Sequence, residues 1–318
     1  MQPRRVPRIR SVSLVAPCLA AIAVALSLGP AGLEAQGLKL AVGDVGLGIG
    51  PVPRIDGLRI NFRDDDRFER VRGINATIWM PEDDARGHVT GLALGLPVTG
   101  AASIRGIALG AGVGVHEELR GIGVAPLGIG VGGQVQGIAV GGIGAGAGNS
   151  FHGIGVGGLG IGAGNDISGI AIGGVGVGAG NSLSGLAVSL GGVGAGSRIT
   201  GVTVAGLGIG AGNHLKWVAL AGLGVGAPRI TGVAAALGVG GEAVEGVVLA
   251  PAYFRLEEGG RLRGVSVSAF NDVRGAQHGL VIGLLNIAEE LHGVQIGVIN
   301  IARNKDRFAV LPLLNYHP

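Results

Sequence analysis

One glycine recurs at a fixed spacing through most of the chain, and this repeat constrains the fold more than any other feature. We call the glycine that precedes each apolar pair the anchor. The central anchors lie 16 residues apart, at Gly121, Gly137, Gly153, Gly169, Gly185 and Gly201, and Trp217 takes the next position. Looser copies spaced by 14–18 residues flank them, at Gly73, Gly91, Gly106, Gly232, Gly246, Gly264, Gly279 and Gly293. A fixed period of this kind is the signature of stacked-repeat architectures.

Within one repeat, apolar and small residues alternate. Residues 137–152 read GIAVGGIGAGAGNSFH, so the alternation slips by one position at the two glycines 141–142. Alternation with period two predicts strands, and a glycine pair tolerates the backbone angles of a corner. We therefore expect two short strands, a corner and a turn in each repeat. The predicted inward set is Ile138, Val140, Ile143, Ala145, Ala147 and Phe151.

Two architectures fit strands at this period, a parallel solenoid and an antiparallel barrel. An up-and-down strand pair would tend to repeat as a double unit, whereas this unit repeats singly. The small residues also suit a thin coil, whose equivalent positions stack about 4.8 Å apart. The sequence therefore predicts an all-β protein, a parallel β-solenoid of about fifteen coils with a glycine-rich repeat of 14–18, mostly 16, residues.

Asparagine recurs at two positions of the repeat. Stacked asparagine side chains can hydrogen-bond along a column of coils. We expect two such structural ladders at turns. The first contains Asn149, Asn165, Asn181 and Asn213, with Ser197 between them, and the second contains Asn271, Asn286, Asn300 and Asn315.

The beginning of the chain differs from the repeats. Residues 1–35 combine four arginines, an apolar stretch over 12–28 and a plausible cleavage site at 33–35, with 29–31 as an alternative, which is the layout of a signal peptide. An uncleaved membrane anchor is the other interpretation. Residues 36–90 are expected to form an N-terminal cap with degenerate first coils and a charged loop, and residues 91–318 the solenoid array.

Charge and cysteine content narrow the function classes. Without residues 1–35 the basic and acidic residues are equal in number, which removes the electrostatic argument for nucleic acid as a partner. The single cysteine, Cys18, lies in the leader, so the rest of the chain has no thiol nucleophile. The Gly-x-Gly-x-x-Gly strings follow from the repeat rather than from a dinucleotide site. We therefore expect no enzyme activity, no catalytic residues, no cofactor and no metal.

Three clusters of polar residues invite a metal-site interpretation, and each has a simpler one. His116-Glu117-Glu118 is expected to be a solvated turn. His278 and His292 both end a repeat, so they are expected on adjacent coils, as a solvated pair or a two-histidine surface site. The triplet 64–66 (DDD) has carboxylate oxygens suited to a cation, but interleaved arginines favour a salt-bridged loop.

The central coils almost lack charge. Between Gly121 and Asn213 the charged residues are Asp166 and Arg198. The outward positions there are expected to be small, as at Ala139, Gly141, Gly144 and Gly146. Such faces suggest self-association or contact with a cell-envelope surface, against the simpler interpretation of a merely wetted face. Lys216 and Trp217, where tryptophan replaces the anchor glycine, form a candidate contact point.

The segment GLVIGLLNIAEELHGVQIGVINIARN (279–304) resembles the repeats of the leptospiral-type surface-repeat-containing protein family. Those repeats run Gly-x-Gln-x-Gly-x-x-Asn-x-Ala, and residues 293–302 match throughout, whereas Val281 stands where glutamine is expected. GLRINF (57–62) and GINATIW (73–79) also resemble the leading segment of that family. The similarity covers about 80 residues at the two ends. It implies an exported, cell-surface bacterial protein and carries no catalytic residues.

These observations predict an exported, non-enzymatic structural or adhesive surface protein that presents a long repetitive β face, at the cell surface, in the outer membrane or outside the cell. A membrane-embedded outer-membrane β protein is the alternative, although its aromatic girdles would need more than the 3% aromatic residues present. A polysaccharide-processing solenoid would need paired carboxylates in a groove.

Overall fold

A computed structural model describes residues 37–82 and 86–318. Residues 37–318 belong to one compact unit. The described residues contain strands, turns and bends but no helix, and so no helix among them has the length and hydropathy to cross a bilayer. The predicted signal peptide, residues 1–35, lies outside the described residues.

Within the described residues, twenty-one strands form one hydrogen-bonded stack. Their bounds are β1 Leu38–Val42, β2 Val45–Ile49, β3 Arg54–Asn61, β4 Arg70–Thr77, β5 His88–Ala125, β6 Gly128–Val131, β7 Gln134–Gly141, β8 Gly144–Ala147, β9 Ser150–Gly157, β10 Gly160–Ala163, β11 Asp166–Gly173, β12 Gly176–Ala179, β13 Ser182–Ser189, β14 Gly192–Ala195, β15 Arg198–Ala205, β16 Gly208–Ala211, β17 His214–Ala221, β18 Gly224–Gly226, β19 Arg229–Ala235, β20 Gly238–Ala302 and β21 Val310–His317. The continuous strands β5 and β20 each pass through several coils.

Each central coil has the same construction. An eight-residue strand such as β9 is followed by a two-residue corner, a four-residue strand such as β10 and a two-residue turn. Eight-residue strands pair in parallel with the next eight-residue strands, for example Ile154 with Ile170, and four-residue strands pair with four-residue strands. Parallel pairing at a 16-residue offset confirms the predicted β-solenoid.

Both ends of the stack close with antiparallel strands. β1 pairs antiparallel with β2, which pairs in parallel with β3 and aligns Gly46 with Gly57. At the other end, β21 pairs antiparallel with the last part of β20, with an irregularity between Gly297 and Asn300. The parallel register therefore begins at residue 45, within residues 36–90, where the sequence predicts a cap with degenerate first coils.

The anchor glycines have a structural reason. Sixteen anchor residues lie in one column, all with positive φ: Gly57, Gly73, Gly91, Gly106, Gly121, Gly137, Gly153, Gly169, Gly185, Gly201, Trp217, Gly232, Gly246, Gly264, Gly279 and Gly293. At Gly153 φ is 128°, and a Cβ there would overlap the carbonyl oxygen of Gly137 in the coil before. Glycine is the residue that adopts such angles without strain and permits such close stacking.

The interior of the coil corrects the predicted inward set. Ala145, Ala147 and Phe151 are buried as expected, but Ile138 and Ile143 are exposed and Val140 is half-exposed. The inward positions after the anchor belong instead to Ala139 and Gly141, which the sequence analysis placed outside. The proposed slip at 141–142 is therefore wrong, because the two-residue corner keeps the inward positions at odd numbers on both sides.

The size of the interior explains this inversion. One large residue before each anchor is buried in the coil, as Phe151, Ile167, Leu183 and Ile199 are in successive coils, and the four-residue strand adds a buried residue such as Ile161 or Val177. A Cβ at Gly155, the inward position beyond the next anchor, would lie 2.9 Å from Cζ of Phe151. Little space is left at that position, so the bulkier aliphatic residues one and three positions after the anchor point outward.

Candidate functional surfaces

The outward positions of each coil form three surfaces of different chemistry. The polar face contains the residues three and one positions before each anchor. The aliphatic face contains the residues one and three positions after each anchor, together with the exposed apolar residue of the corner. The glycine face contains the outward residues of the four-residue strands. Because coils stack in register, each surface runs along the array.

The polar face is a network of short side-chain contacts between coils. His152 Nδ1 lies 2.7 Å from the hydroxyl of Ser168 on the next coil. Asp166 accepts hydrogen bonds from the hydroxyl of Ser182 and from Asn181. The Ser182 hydrogen bond is the main reason that the pKa of Asp166 lies below its ordinary value. Asp166, one of the two central charges, therefore has partners on the neighbouring coil.

A polar groove of about 980 Å³ lies on this face beyond the central coils. Its lining includes His214, Arg229, Glu242, Glu245, Glu257 and Arg261. Burial, followed by the positive charge of Arg229, lowers the pKa of His214, so its imidazole favours the neutral form. The groove offers both signs of charge and suits a polar ligand with mixed groups.

The aliphatic face carries no polar side chain in its two strand columns. The first column is Leu58, Ile74, Leu92, Ile107, Ile122, Ile138, Ile154, Ile170, Leu186, Val202, Val218, Val233, Val247, Val265, Leu280 and Val294. The second is Ile60, Ala76, Leu94, Leu109, Val124, Val140, Val156, Ile172, Val188, Val204, Leu220, Ala235, Leu249, Val267, Ile282 and Ile296. Corner residues extend it, including Leu127, Ile143, Leu159, Val175, Leu190, Leu207 and Leu223, all exposed.

The glycine face contains glycines that the fold does not require. Gly144 and Gly146 point outward, as the sequence analysis expected. A Cβ at Gly178, Gly210 or Gly226 would meet nothing within 4 Å, and none of the three has a positive φ. The face ends at the C-terminal coils. There the aromatic side chains of Tyr253 and Phe270 occupy the equivalent outward positions, and their ring centroids lie 5.3 Å apart.

The two asparagine columns occupy different environments. Asn149, Asn165, Asn181 and Asn213 lie in exposed turns, where their backbones form a ladder: Asn165 N to Asn149 O is 2.7 Å. Asn165 donates to the side chain of Asn149, but Asn181 donates to Asp166 instead. Backbone hydrogen bonds, rather than a continuous side-chain ladder, connect this column.

The second column is buried within strands rather than exposed in turns. Asn271, Asn286, Asn300 and Asn315 are fully buried. Asn271 Nδ2 donates to Asn286 Oδ1 at 2.8 Å, and Asn286 Nδ2 donates to Asn300 Oδ1 at 2.7 Å. Asn315 continues more weakly, through the Asn300 carbonyl at 3.5 Å, and accepts from Lys305. The side chains of three of these residues thus form an internal ladder.

Two buried glutamines also connect the C-terminal coils: Gln295, which belongs to the Gly-x-Gln motif at 293–302, and Gln277, which the sequence analysis did not single out. Gln295 Nε2 donates to Gln277 Oε1 at 3.0 Å, and Gln277 Nε2 donates to the Val294 carbonyl at 3.1 Å. Their signal in the sequence was the alternation of glutamine with aliphatic residues in a strand. A buried amide in such a position needs a partner, and here the neighbouring coil supplies it.

A second buried network lies near the N-terminal end. Arg59 and Asp64 are buried together and form an ion pair, and Asn75 and Thr77 also donate to Asp64. The Arg59 guanidinium carbon lies 4.6 Å from the ring centroid of Phe68. The predicted salt bridges at 64–66 are thus present for Asp64, which pairs with Arg59, and for Asp65, which pairs with Arg67. Sequence reasoning placed these charges in a loop but not in the core.

The histidines predicted on adjacent coils stack on each other. The rings of His278 and His292 have centroids 4.9 Å apart and planes 10° apart, and His292 meets His317 edge-on. Within the described residues, no group of three or more histidine, cysteine, aspartate or glutamate side chains is arranged to hold a metal ion. His116 and Glu117 are exposed as expected, but residues 116–118 lie within strand β5 rather than in a turn, and Glu118 pairs with Arg120.

Lys216 and Trp217 lie at the boundary between the polar and aliphatic faces. Both are exposed, and Trp217 keeps φ at 90° in the anchor column. This conformation is strained for a residue with a Cβ. The indole stands outward with 58% of its surface accessible.

The three faces offer long, regular contact areas, and the polar groove brings His214, Arg229 and several glutamates together. No family model, curated protein or solved structure matches the chain.

Proposed function

We propose that the chain is an exported, non-enzymatic structural or adhesive surface protein that presents a long repetitive β face. The observation that carries this proposal is the polar face, whose outward columns continue from coil to coil. Repeated hydroxyl, imidazole and charged groups at a spacing of about 4.8 Å suit multivalent contact with a polymer. The arginine-rich, apolar residues 1–35 and the resemblance of 279–304 to surface repeats support export.

The side-chain chemistry of the polar face supports binding rather than catalysis. Asp166 is held by Ser182 and Asn181, and His152 lies against Ser168, so these polar groups contact each other along the face. An acid–base pair acting on a substrate would instead need groups that converge on one point. The groove around His214 and Arg229 is the place where a polar ligand would make several contacts at once.

Export is tested by following the chain in the cells that produce it. We expect a mature N-terminus at residue 36, or at 32 if the alternative site is cleaved, and labelling of intact cells by an antibody against residues 37–318. A cytoplasmic protein in the same cells serves as the control for lysis. A chain that retains residues 1–35 and is labelled only after lysis would contradict the proposal.

Adhesion is tested with the purified unit on cell-envelope polysaccharide and on intact cells. We expect Arg229→Glu, in the groove, to weaken retention at least about tenfold, because reversing one charge in a contact region costs on the order of 1–2 kcal/mol. Arg72→Glu changes the charge equally on the same face, far from the groove, and is the matched control. Equal retention of both variants and the unaltered unit would remove the groove from the binding surface.

The aliphatic face favours a second candidate, a membrane-associated or membrane-embedded β protein of the outer membrane. Exposed aliphatic side chains are favourably solvated by lipid tails, whereas the surfaces of soluble proteins usually carry charged residues. This candidate predicts that residues 37–318 need detergent to remain dispersed. A unit that stays dispersed in buffer without detergent would reject it.

A further inference from the structure

The aliphatic face is the most anomalous surface of the molecule. All thirty-two residues in its two strand columns are aliphatic, over sixteen consecutive coils, although their side chains point away from the core. Ile172 exposes 42% of its surface and Leu190 exposes 80%. Single exposed aliphatic residues are ordinary, but a contiguous apolar patch of this extent marks an interaction surface on a protein in water.

The fold itself does not demand these residues. The interior is filled by the large residue before each anchor and by the inward residues after it, including those of the four-residue strands such as Ile161, so the outward positions are open to polar side chains. The polar face shows this directly, since outward positions of the same strands carry Ser168, Ser184 and Thr200. Threonine has the β-branched shape of valine and suits strands equally well. The choice of isoleucine, leucine and valine on one face only therefore points to a partner.

The size of the aliphatic face matches a stable protein interface. Sixteen coils spaced by about 4.8 Å give a length of roughly 75 Å, and the two columns with the corner give a width of roughly 12–15 Å. The product, on the order of 1,000 Å² for one copy, exceeds the approximately 800 Å² that each partner contributes to a standard stable complex. The face alone is thus large enough to hold two molecules together.

The chemistry of the face favours a second copy of the same chain over other partners. A partner must be apolar, straight and about as long, and within the described residues the surface with those properties is the same face of another molecule. The two strand columns hold no charge that would select an oppositely charged protein. They also lack the tryptophan, tyrosine and basic residues that anchor proteins at lipid surfaces.

We propose that the protein forms a homodimer in which two solenoids pack their aliphatic faces against each other. The two sheets would lie about 10 Å apart, as in a β-sandwich, with a two-fold axis relating them. The arrangement buries the aliphatic columns and leaves the polar face, its groove and the glycine face accessible on both copies. It goes beyond the proposed function and does not depend on export or adhesion.

The experiment uses residues 37–318, which form one compact unit, in buffer without detergent. Sedimentation equilibrium of the unaltered unit should give the mass of a dimer. The double variant Ile172→Glu with Leu207→Glu places two carboxylates on the aliphatic face, and we expect the dissociation constant to rise at least about 100-fold, because buried unpaired charge strongly opposes association. Circular dichroism checks that this variant retains its β structure.

The matched control carries the same two charges on the same two coils but on the glycine face. Gly178→Glu with Gly210→Glu adds side chains where a Cβ meets nothing within 4 Å, and should leave the dimer intact. If this control dissociates the dimer and the aliphatic-face variant does not, the interface lies on the glycine face and the proposal is overturned. An unaltered unit that stays monomeric at concentrations of about 1 to 100 μM would overturn it as well.

A second measurement needs no variant, and so it tests the dimer even where a substituted chain fails to fold. The melting temperature of the unaltered unit should rise with protein concentration, because association stabilises the folded state by mass action. Flotation with phosphatidylcholine vesicles tests whether the aliphatic face binds lipid instead of a second copy. A unit whose melting temperature is independent of concentration, or which floats with vesicles as a monomer, would refute the dimer.

Discussion

The interior of the solenoid is filled by different kinds of residue in the central coils and at the two ends. In the centre, each coil is filled mainly by apolar residues, a large one before the anchor such as Phe151 or Ile167 and one in the four-residue strand such as Ile161, with small residues around them. At the ends, polar side chains enter the interior: Arg59 and Asp64 on one side, Asn271, Asn286 and Asn300 on the other. The centre is held by backbone ladders and packing, and the ends by specific side-chain hydrogen bonds.

This difference has a physical reason in the stacking. A central coil has neighbours of the same construction on both sides, so apolar packing and backbone hydrogen bonds in register suffice to define its position. A terminal coil has a different partner on each side, and buried polar groups accept only the arrangement in which their hydrogen bonds are made. We infer that the end networks fix the register at which the array starts and stops. Repeat arrays in general need such specialised ends.

The largest expected effect is at the N-terminal network. Asp64→Ala leaves the buried Arg59 guanidinium without its carboxylate, and removing one partner of a buried ion pair costs about 3–5 kcal/mol. The free energy of unfolding, measured by urea titration, should fall by that amount. Glu69→Ala, which removes the exposed partner of Arg54, is the control and should change little. Equal effects of the two substitutions would show that the buried pair has no special role.

The centre is tested at its one large aromatic residue. Phe151 is fully buried, and Phe151→Ala should lower the free energy of unfolding by about 3–4 kcal/mol through loss of packing. Hydrogen exchange should localise the loss to coils beside 151, because each coil contacts its neighbours. Leu159→Ala, at an exposed corner, is the control. A loss spread evenly to both ends would mean that the array unfolds as one cooperative body.

The two asparagine columns provide the next comparison. Asn286→Ala removes the acceptor of Asn271 and the donor to Asn300, and should cost about 2–3 kcal/mol because buried polar groups lose partners. Asn165→Ala, in the exposed column, should have a small effect on the same urea titration, since its backbone ladder remains. Similar losses for both would contradict the distinction between buried and exposed columns.

The anchor column makes a prediction of the opposite sign. Trp217→Gly should raise the free energy of unfolding by about 1–2 kcal/mol, because it relieves a strained positive φ. Trp217→Ala keeps a Cβ at the same angle and should bring no such gain. If both variants gain equally, the indole rather than the backbone angle is the unfavourable element. If both lose stability, the indole makes a favourable contact that offsets the strain.

The smallest expected effect is a pH dependence at the C-terminal end. Burial, and then the neighbouring His292, Arg261 and Arg263, lower the pKa of His278 below 6.5. The unfolded state therefore binds more protons in this range, so stability is complete above about pH 6.5 and declines as pH falls towards the lower folded-state pKa. His278→Gln should reduce the decline in urea midpoints between about pH 7.5 and 5.5. An unchanged slope would assign the dependence to other groups.

Several features could be predicted because they depend on local sequence patterns. The spacing of Gly137, Gly153 and Gly169 indicated the repeat length, and the alternation around them indicated strands. The stacking of His278 on His292 was expected from their equal places in successive repeats, and the structure brings the rings together. The polar core at the ends was missed, since Asp64 and Asn286 are residue types that usually lie at the surface or in turns.

By itself, the sequence determined the repeat, the strand character and the positions where only glycine can bend the chain, because these depend on periodicity and backbone sterics. The tertiary structure decided which side of each strand faces inward. Ile138 and Ala139 are both compatible with burial, and alternation gives two sides without saying which one is inside. The volume left beside residues such as Phe151 admits only small neighbours, and that volume exists only once the coil has closed.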